Sequence, residues 1–257
     1  MGYGLQVENN NNEFIIDSDE PYSSFGILSQ GSASLSTSNS IITFSNTSAA
    51  PLNGTVYRQS FPSGVSGNDL FFVNIPNNGF VAEEGGLGQL LNGTHNWVHQ
   101  FASGGSTTYK YKEMNVMSHA NMTIQDWDSG YGLTVFKEYT GTPQQTDLIF
   151  SSVLEQGVNI VACGTFRDIA NANQMFTTVT VNSSDPHYVL INGSEHTLGI
   201  WQYSLARGYY FTYSSGSVLE SIKVYAAQIS SWGLLTVPST FDSLDQSWMI
   251  IKVRGDT

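Results

Sequence analysis

Gly2-Tyr3-Gly4-Leu5-Gln6-Val7 is written again as Gly130-Tyr131-Gly132-Leu133-Thr134-Val135, and more loosely as Trp232-Gly233-Leu234-Leu235-Thr236-Val237. Each copy is followed by the same events. An apolar run closing on Ser or Asp comes next: Phe14-Ile15-Ile16-Asp17-Ser18, Leu148-Ile149-Phe150-Ser151-Ser152 and Phe241-Asp242-Ser243. Then an Ile stands four residues before a Gly: Ile27 and Gly31, Ile160 and Gly164, Ile251 and Gly255. Three features in one order, three times, mark an internal repeat, and a repeat sets the architecture before any single element does. The repeat divides the chain into two full modules, residues 1–128 and 129–231, and a truncated third, residues 232–257.

Working outward from the repeat, the elements read as strands. Leu5 and Val7 alternate with Gln6 and Glu8, the period of a half-buried strand. Residues 9–12 are all Asn, which tolerates positive φ and bonds its own backbone, so they form a turn. Residues 14–16 return and residues 25–29 complete a three-stranded meander, a plan repeated by residues 133–136, 148–150 and 158–163. Leu70-Phe71-Phe72-Val73 is apolar without alternation, as in a strand buried on both faces, and Tyr188-Val189-Leu190-Ile191 matches it. The Gly-rich residues 80–94 read as a long loop. Residues 97–101 and 109–117 read as a hairpin, with a phase flip after Lys112 that predicts a bulge or a change of sheet. Val179-Thr180-Val181 is a further strand, and Asn192-Gly193 signals a hairpin turn. Residues 209–213 run to a turn at Ser214-Ser215-Gly216, and Ile222-Lys223-Val224-Tyr225 answers Met114-Asn115-Val116-Met117. Helix is expected only near residues 87–91 and 166–174. The fold class that follows is all-β: tandem antiparallel sandwiches, jelly-roll-like, with a C-terminal β extension.

Composition narrows the partners. Charged residues are 12% of the chain, against about 25% in an ordinary domain, and polarity comes instead from Asn, Ser, Thr, Gln and Gly. Nine basic residues against 21 acidic ones give −12, which argues against a nucleic-acid partner because phosphates need a basic footprint. Cys163 is the single cysteine, so no disulfide closes within the chain; its apolar strand reads as burying an inert thiol. Neither a basic-plus-apolar leader nor a long apolar run is written, so neither secretion by that route nor membrane insertion is expected.

Gly-Tyr-Gly-Leu-x-Val, an Asn-rich turn, Phe-Ile-Ile-Asp-Ser and Ile-Leu-Ser-x-Gly, over residues 2–31 and again in outline over 130–164, resemble the opening of small tail-associated virion proteins of tailed bacteriophages. The resemblance implies a β-sandwich and a structural place in the particle, tail or fibre rather than capsid, assembled in the host cytoplasm. Copies of the chain and other virion proteins are then its partners. That family brings no catalytic residues and no cofactor. The module written twice, with a third start, departs from its pattern.

No spacing in the chain specifies a reaction. Gly85-Gly86-Leu87-Gly88 lacks the Lys-Ser/Thr of a phosphate loop, and no Gly-x-Ser-x-Gly elbow is written. His95 and His99 share a face, but a zinc site needs a further ligand, for which spacing does not single out Glu83, Glu84 or His119. Asp17, Asp19 and Glu20 read as a solvated turn, since the EF-hand loop pattern is missing. Neither a metal nor a cofactor is therefore expected, and no enzyme. What remains are the aromatics crowding residues 201–213. They admit three readings: core, subunit interface, or stacking on a host surface glycan. Trp201, Tyr209, Phe211, Trp248 and Ile250 are the candidate interface residues, the last two because an exposed Trp248-Met249-Ile250-Ile251 edge would invite aggregation.

Overall fold

A chain poor in helix formers and rich in Thr, Val, Ile, Tyr and Phe folds as strands. In the computed structural model these are Gln6–Glu8 (β1), Phe14–Asp17 (β2), Ser23–Ser34 (β3), Ser40–Phe44 (β4), Gly54–Ser60 (β5), Leu70–Asn74 (β6), Gly79–Gly85 (β7), Trp97–Ala102 (β8), Thr108–Ser118 (β9) and Thr134–Phe136 (β10). There follow Leu148–Ser151 (β11), Val158–Thr165 (β12), the single helix among the described residues, Phe166–Asn171 (α1), then Phe176–Ser183 (β13), His187–Leu190 (β14), Glu195–Thr197 (β15), Tyr203–Tyr213 (β16), Leu219–Ser230 (β17), Leu235–Thr236 (β18) and Ser247–Val253 (β19). The described residues are 6–8, 14–17, 23–34, 40–44, 54–64, 69–85, 97–102, 108–118, 133–136, 141–142, 144–151, 158–192, 195–197, 203–214, 217–230, 235–238, 245–253 and 256.

The chain divides into two compact units: Met1–Leu28 with Met114–Val158, and Ser29–Glu113 with Asn159–Thr257. The first unit holds the repeated openings. β1 pairs with β2 as Gln6↔Asp17, Val7↔Ile16 and Glu8↔Phe14, the register shifting between Val7 and Glu8. β10 pairs with β11 as Thr134↔Ser151, Val135↔Phe150 and Phe136↔Leu148, shifting between Val135 and Phe136. The written repeat thus folds as one hairpin made twice, irregular at the same place. In the second copy Val135, Ile149 and Phe150 form a small apolar cluster.

The second unit is a two-layer sandwich. One sheet runs β12-β19-β14-β6-β9-β3; the other runs β13-β17-β16-β15-β7-β8-β5-β4, with β18 on β17 and a direct β16–β7 pairing. Each order reads alike from its middle outward. β6-β9-β3 answers β14-β19-β12, and β7-β8-β5 answers β16-β17-β13. In chain order the two sets are β3, β5, β6, β7, β8, β9 and β12, β13, β14, β16, β17, β19. One module has been made twice, and its copies meet at strand edges. β14 joins β6 antiparallel (Val189↔Val73, Leu190↔Phe72), and β16 joins β7 antiparallel (Tyr209↔Val81, Phe211↔Gly79). β15 fills the wedge where β16 and β7 part, antiparallel to the one and parallel to the other.

Both sheets feed one core. Phe71, Val73, Ile75, Val189 and Ile250 come from the first; Val81, Tyr209, Phe211, Ile222 and Val224 come from the second. Phe72 lies on the opposite face of β6 and is buried as well, so the unbroken apolar run does lie in a strand covered on both faces. α1 carries the chain from β12 in one sheet to β13 in the other and adds Phe166 and Ile169 to the core. Thr165 starts this helix with a capping box: its hydroxyl accepts from Asp168 N (3.2 Å) while the Asp168 carboxylate accepts from Thr165 N (3.2 Å).

Several expectations are corrected. The copies are not tandem sandwiches cut at residues 128 and 231, because β6 and β14 are neighbours in one sheet and β7 and β16 in the other. Nor does a third module begin at residue 232. β18 pairs with β17 (Ile229↔Leu235), and β19 lies between β12 and β14 as β9 lies between β3 and β6. Residues 232–257 therefore complete the second copy. The reason is burial: the Trp248–Ile251 run needs cover on both sides and finds it beside β14, as Tyr188↔Ile251 and Val189↔Ile250. The expected three-stranded meanders are two-stranded hairpins, with β3 and β12 assigned to the large sheet. Residues 79–85 are a central strand, not loop; their glycines flank Phe80, Val81 and Ala82, all fully buried. β8 and β9 lie in different sheets, so the chain between them crosses the sandwich and is no hairpin, and the same holds from β14 past Asn192 to β15. β9 is therefore answered by β19, and β17 by β8. The expected helix near residues 87–91, like Gly4 and Gly132, lies outside the described residues.

Candidate interaction surface

Of the candidate interface residues, the structure buries four. Tyr209, Phe211 and Ile250 are fully enclosed and Trp248 nearly so, all in the shared core; Trp201 lies outside the described residues. Their polar atoms are satisfied inside. The Tyr209 hydroxyl donates to Leu190 O (2.6 Å), and burial pushes that phenol far above its usual range. The Trp248 ring donates through Nε1 to Thr165 O (3.1 Å). Phe211 stacks on Tyr213 at 6.4 Å, and burial raises the Tyr213 phenol to about 12. These side chains hold the sheets together and present no surface. Alternation could have said so, since Tyr209 and Phe211 share a face while Tyr210 takes the other.

The opposite face of that strand carries a second aromatic group. Phe80, Ala82, Tyr225 and Ala227 are buried there, with Met175, Phe176 and Tyr210 half-buried around them. Phe176 and Tyr225 lie 5.1 Å apart, Phe80 and Tyr225 meet edge-on at 6.1 Å, and the Lys223 ammonium stands 4.9 Å over the Phe176 ring. Gly208 makes this possible. A Cβ there would stand 2.5 Å from the Phe80 ring and 2.6 Å from Val81 O, so the ring lies flat over bare backbone at the join of β16 and β7.

Two polar clusters punctuate the first sheet. Lys112, 4% exposed, places its ammonium 3.2 Å from the Asp256 carboxylate, donates to Gln30 Oε1 (2.8 Å) and lies 5.0 Å over the Tyr188 ring. The Tyr188 hydroxyl donates to the same carboxylate, and burial pushes its phenol up. A buried ammonium needs such company, and the cluster ties the first copy (Gln30, Lys112) to the second (Tyr188, Asp256). In the other cluster Lys252 pairs with Asp185 at 2.6 Å, and its hydrogen bond lowers the Asp185 carboxyl. His187 stands beside them with Nδ1 2.9 Å from Asp185 O, and burial holds its imidazole below the usual histidine range. Among the described residues no three His, Cys, Asp or Glu side chains gather as metal ligands do. His95, His119, Asp19 and Glu20 lie outside the described residues, and the side chains of Asp17, Glu83, Glu84 and His99 are not among those described.

The repeated Ile-x-x-x-Gly acquires a physical meaning at the sheet edges. On β12 a Cβ at Gly164 would stand 2.9 Å from the ring of Trp248 on β19; on β3 one at Gly31 would stand 3.2 Å from the ring of Tyr111 on β9. In both copies the glycine makes room for a large ring from the neighbouring strand. The Ile half of the motif behaves differently. Ile160 is 51% exposed and Val161 39%, on the outermost strand of the sheet. Cys163 is exposed too, contrary to the expected buried thiol, because β12 has a neighbour on one side only. This uncharged apolar edge is the surface that sequence reading missed. Pattern alone could not find it, since an apolar strand reads the same at an edge and at a centre. No family model, curated protein or solved structure matches this chain.

Proposed function

We propose that this chain is a non-enzymatic structural component of a tailed-phage virion, associated with the tail or a fibre, that works through symmetric contacts with copies of itself and with other virion proteins. The observation that carries the reading is the way the module already associates within the chain. Two copies join edge to edge through main-chain hydrogen bonds, β6 to β14 and β7 to β16, and so extend both sheets at once. Main-chain pairing asks little of side chains, which suits a part that must repeat. The low charge and the resemblance of residues 2–31 to tail-associated proteins point the same way. The test is to tag the chain and image assembled particles. Tag density at symmetric positions on the tail is the expected result; particles that form without the chain and never contain it would sink the reading.

A second reading, recognition of a host surface glycan, draws on the half-buried rings of Phe176 and Tyr210 on the outer face of the second sheet. Aromatic faces stack on sugar rings. Titration with host surface oligosaccharide decides it: binding lost on Phe176→Ala supports it, and no heat of binding for the native chain ends it.

A further inference from the structure

We infer that β12 is the strand through which two copies of this chain pair, edge to edge and about a two-fold axis. The inference rests on the reading of the chain as an assembly component and says which surface does the assembling. β12 closes one side of the first sheet, so one row of its backbone N–H and C=O groups has no strand beside it. Natural edges of this kind are blunted by Lys, by Pro or by a covering segment. β12 reads Val158-Asn159-Ile160-Val161-Ala162-Cys163-Gly164-Thr165, with neither a charge nor a proline, and it leaves Ile160 and Val161 exposed.

The occupant follows from charge and from the internal join. A chain of net −12 repels its like over most of its surface, and a strand without charge is where two such chains can meet. Between the two copies inside the chain, antiparallel edge pairing of one module with another is already realised, so strand twist permits it. The opposite edge fits β12 less well. β3 exposes Leu28 but continues into Gln30, Gly31 and Ser32, all exposed and none apolar beyond glycine. Self-pairing of β12 sets aliphatic against aliphatic, and a two-fold closes the assembly at a pair.

The full chain is examined by sedimentation, native and as Ile160→Lys. A pair that dissociates at least ten-fold more readily in the variant, with unchanged thermal unfolding, is the expected result; since Ile160 is already half exposed, the variant keeps its fold. Position is read from the single cysteine. Two antiparallel β12 strands place their Cys163 Cα atoms within about 20 Å, whereas β12 on a neighbour's β3 separates them by six strands, about 29 Å at the usual spacing. Spin labels on Cys163, or its oxidation to a cross-linked pair, distinguish the two. A monomer at every concentration overturns the inference, and so does a pair that Ile160→Lys leaves intact or whose Cys163 residues stand far apart. A pair formed through another surface overturns it while leaving the proposed function standing; a chain that neither pairs nor enters particles removes both.

Discussion

The two copies of the module place equivalent strands in the same order with little chemistry in common. β9 brings Tyr109, Lys110, Tyr111, Lys112 and Glu113 to its place; β19 brings Trp248, Met249, Ile250, Ile251 and Lys252. Both nonetheless lie next to a central strand on one side and an edge strand on the other, and both lay a large ring over an edge glycine. What is kept is the fit between strand and neighbour, not the side chains. Where the copies do differ is in the connection from the first sheet to the second: the first copy uses β4, the second α1. A connection need only span the gap and satisfy its own backbone, so either structure serves.

If β19 is the second copy's counterpart of β9, removing it should cost most. Truncation after Ser231 takes away the strand between β12 and β14 together with Trp248 and Ile250, and the expected outcome is loss of the cooperative thermal transition of the sandwich. A truncated chain that melts like the native one would restore the reading of residues 232–257 as a separate third piece. Next in size is the join itself. Gly208→Val would drive a side chain into Val81 O and the Phe80 ring, and overpacking of this kind should cost about 3 kcal/mol in urea unfolding. An unchanged urea midpoint would mean that β16 and β7 do not meet this closely.

The difference in connections can be sharpened separately. Thr165→Ala removes the capping hydroxyl of α1 and should cost about 1 kcal/mol by the same measurement. No such loss would mean that the helix, like β4, merely spans the gap. Smallest is a pH effect confined to the second copy. Burial lowers the His187 pKa in the fold, so as pH falls the unfolded chain takes up the proton first. The stability that depends on neutral His187 is present above the unfolded value, about 6.5, and is lost as pH falls through the lower folded value. The melting temperature should drop between about pH 7 and pH 5, and His187→Gln should flatten that slope; equal slopes would show that His187 is not what titrates.

The repeat was legible in the sequence, down to hairpins whose registers shift at Val7/Glu8 and Val135/Phe136, because local pairing depends on neighbouring residues. Legible too were the strands, the double burial of residues 70–73, and the β16–β17 turn. The candidate interface was not. Tyr209 and Phe211 carry the composition of a binding surface and the burial of a core, and only the second sheet decides which. The same limit hid the free edge at β12.

By itself, then, the chain determined its strands, its all-β class and its duplication, since each is set by the period of apolar residues and by turn chemistry within a few positions. Tertiary structure decided that the copies interleave, that residues 232–257 finish the second of them, and which apolar strand is left at an edge. Strand pairing joins residues far apart in sequence through backbone groups that every residue carries alike, so no side chain in β6 names β14 as its neighbour.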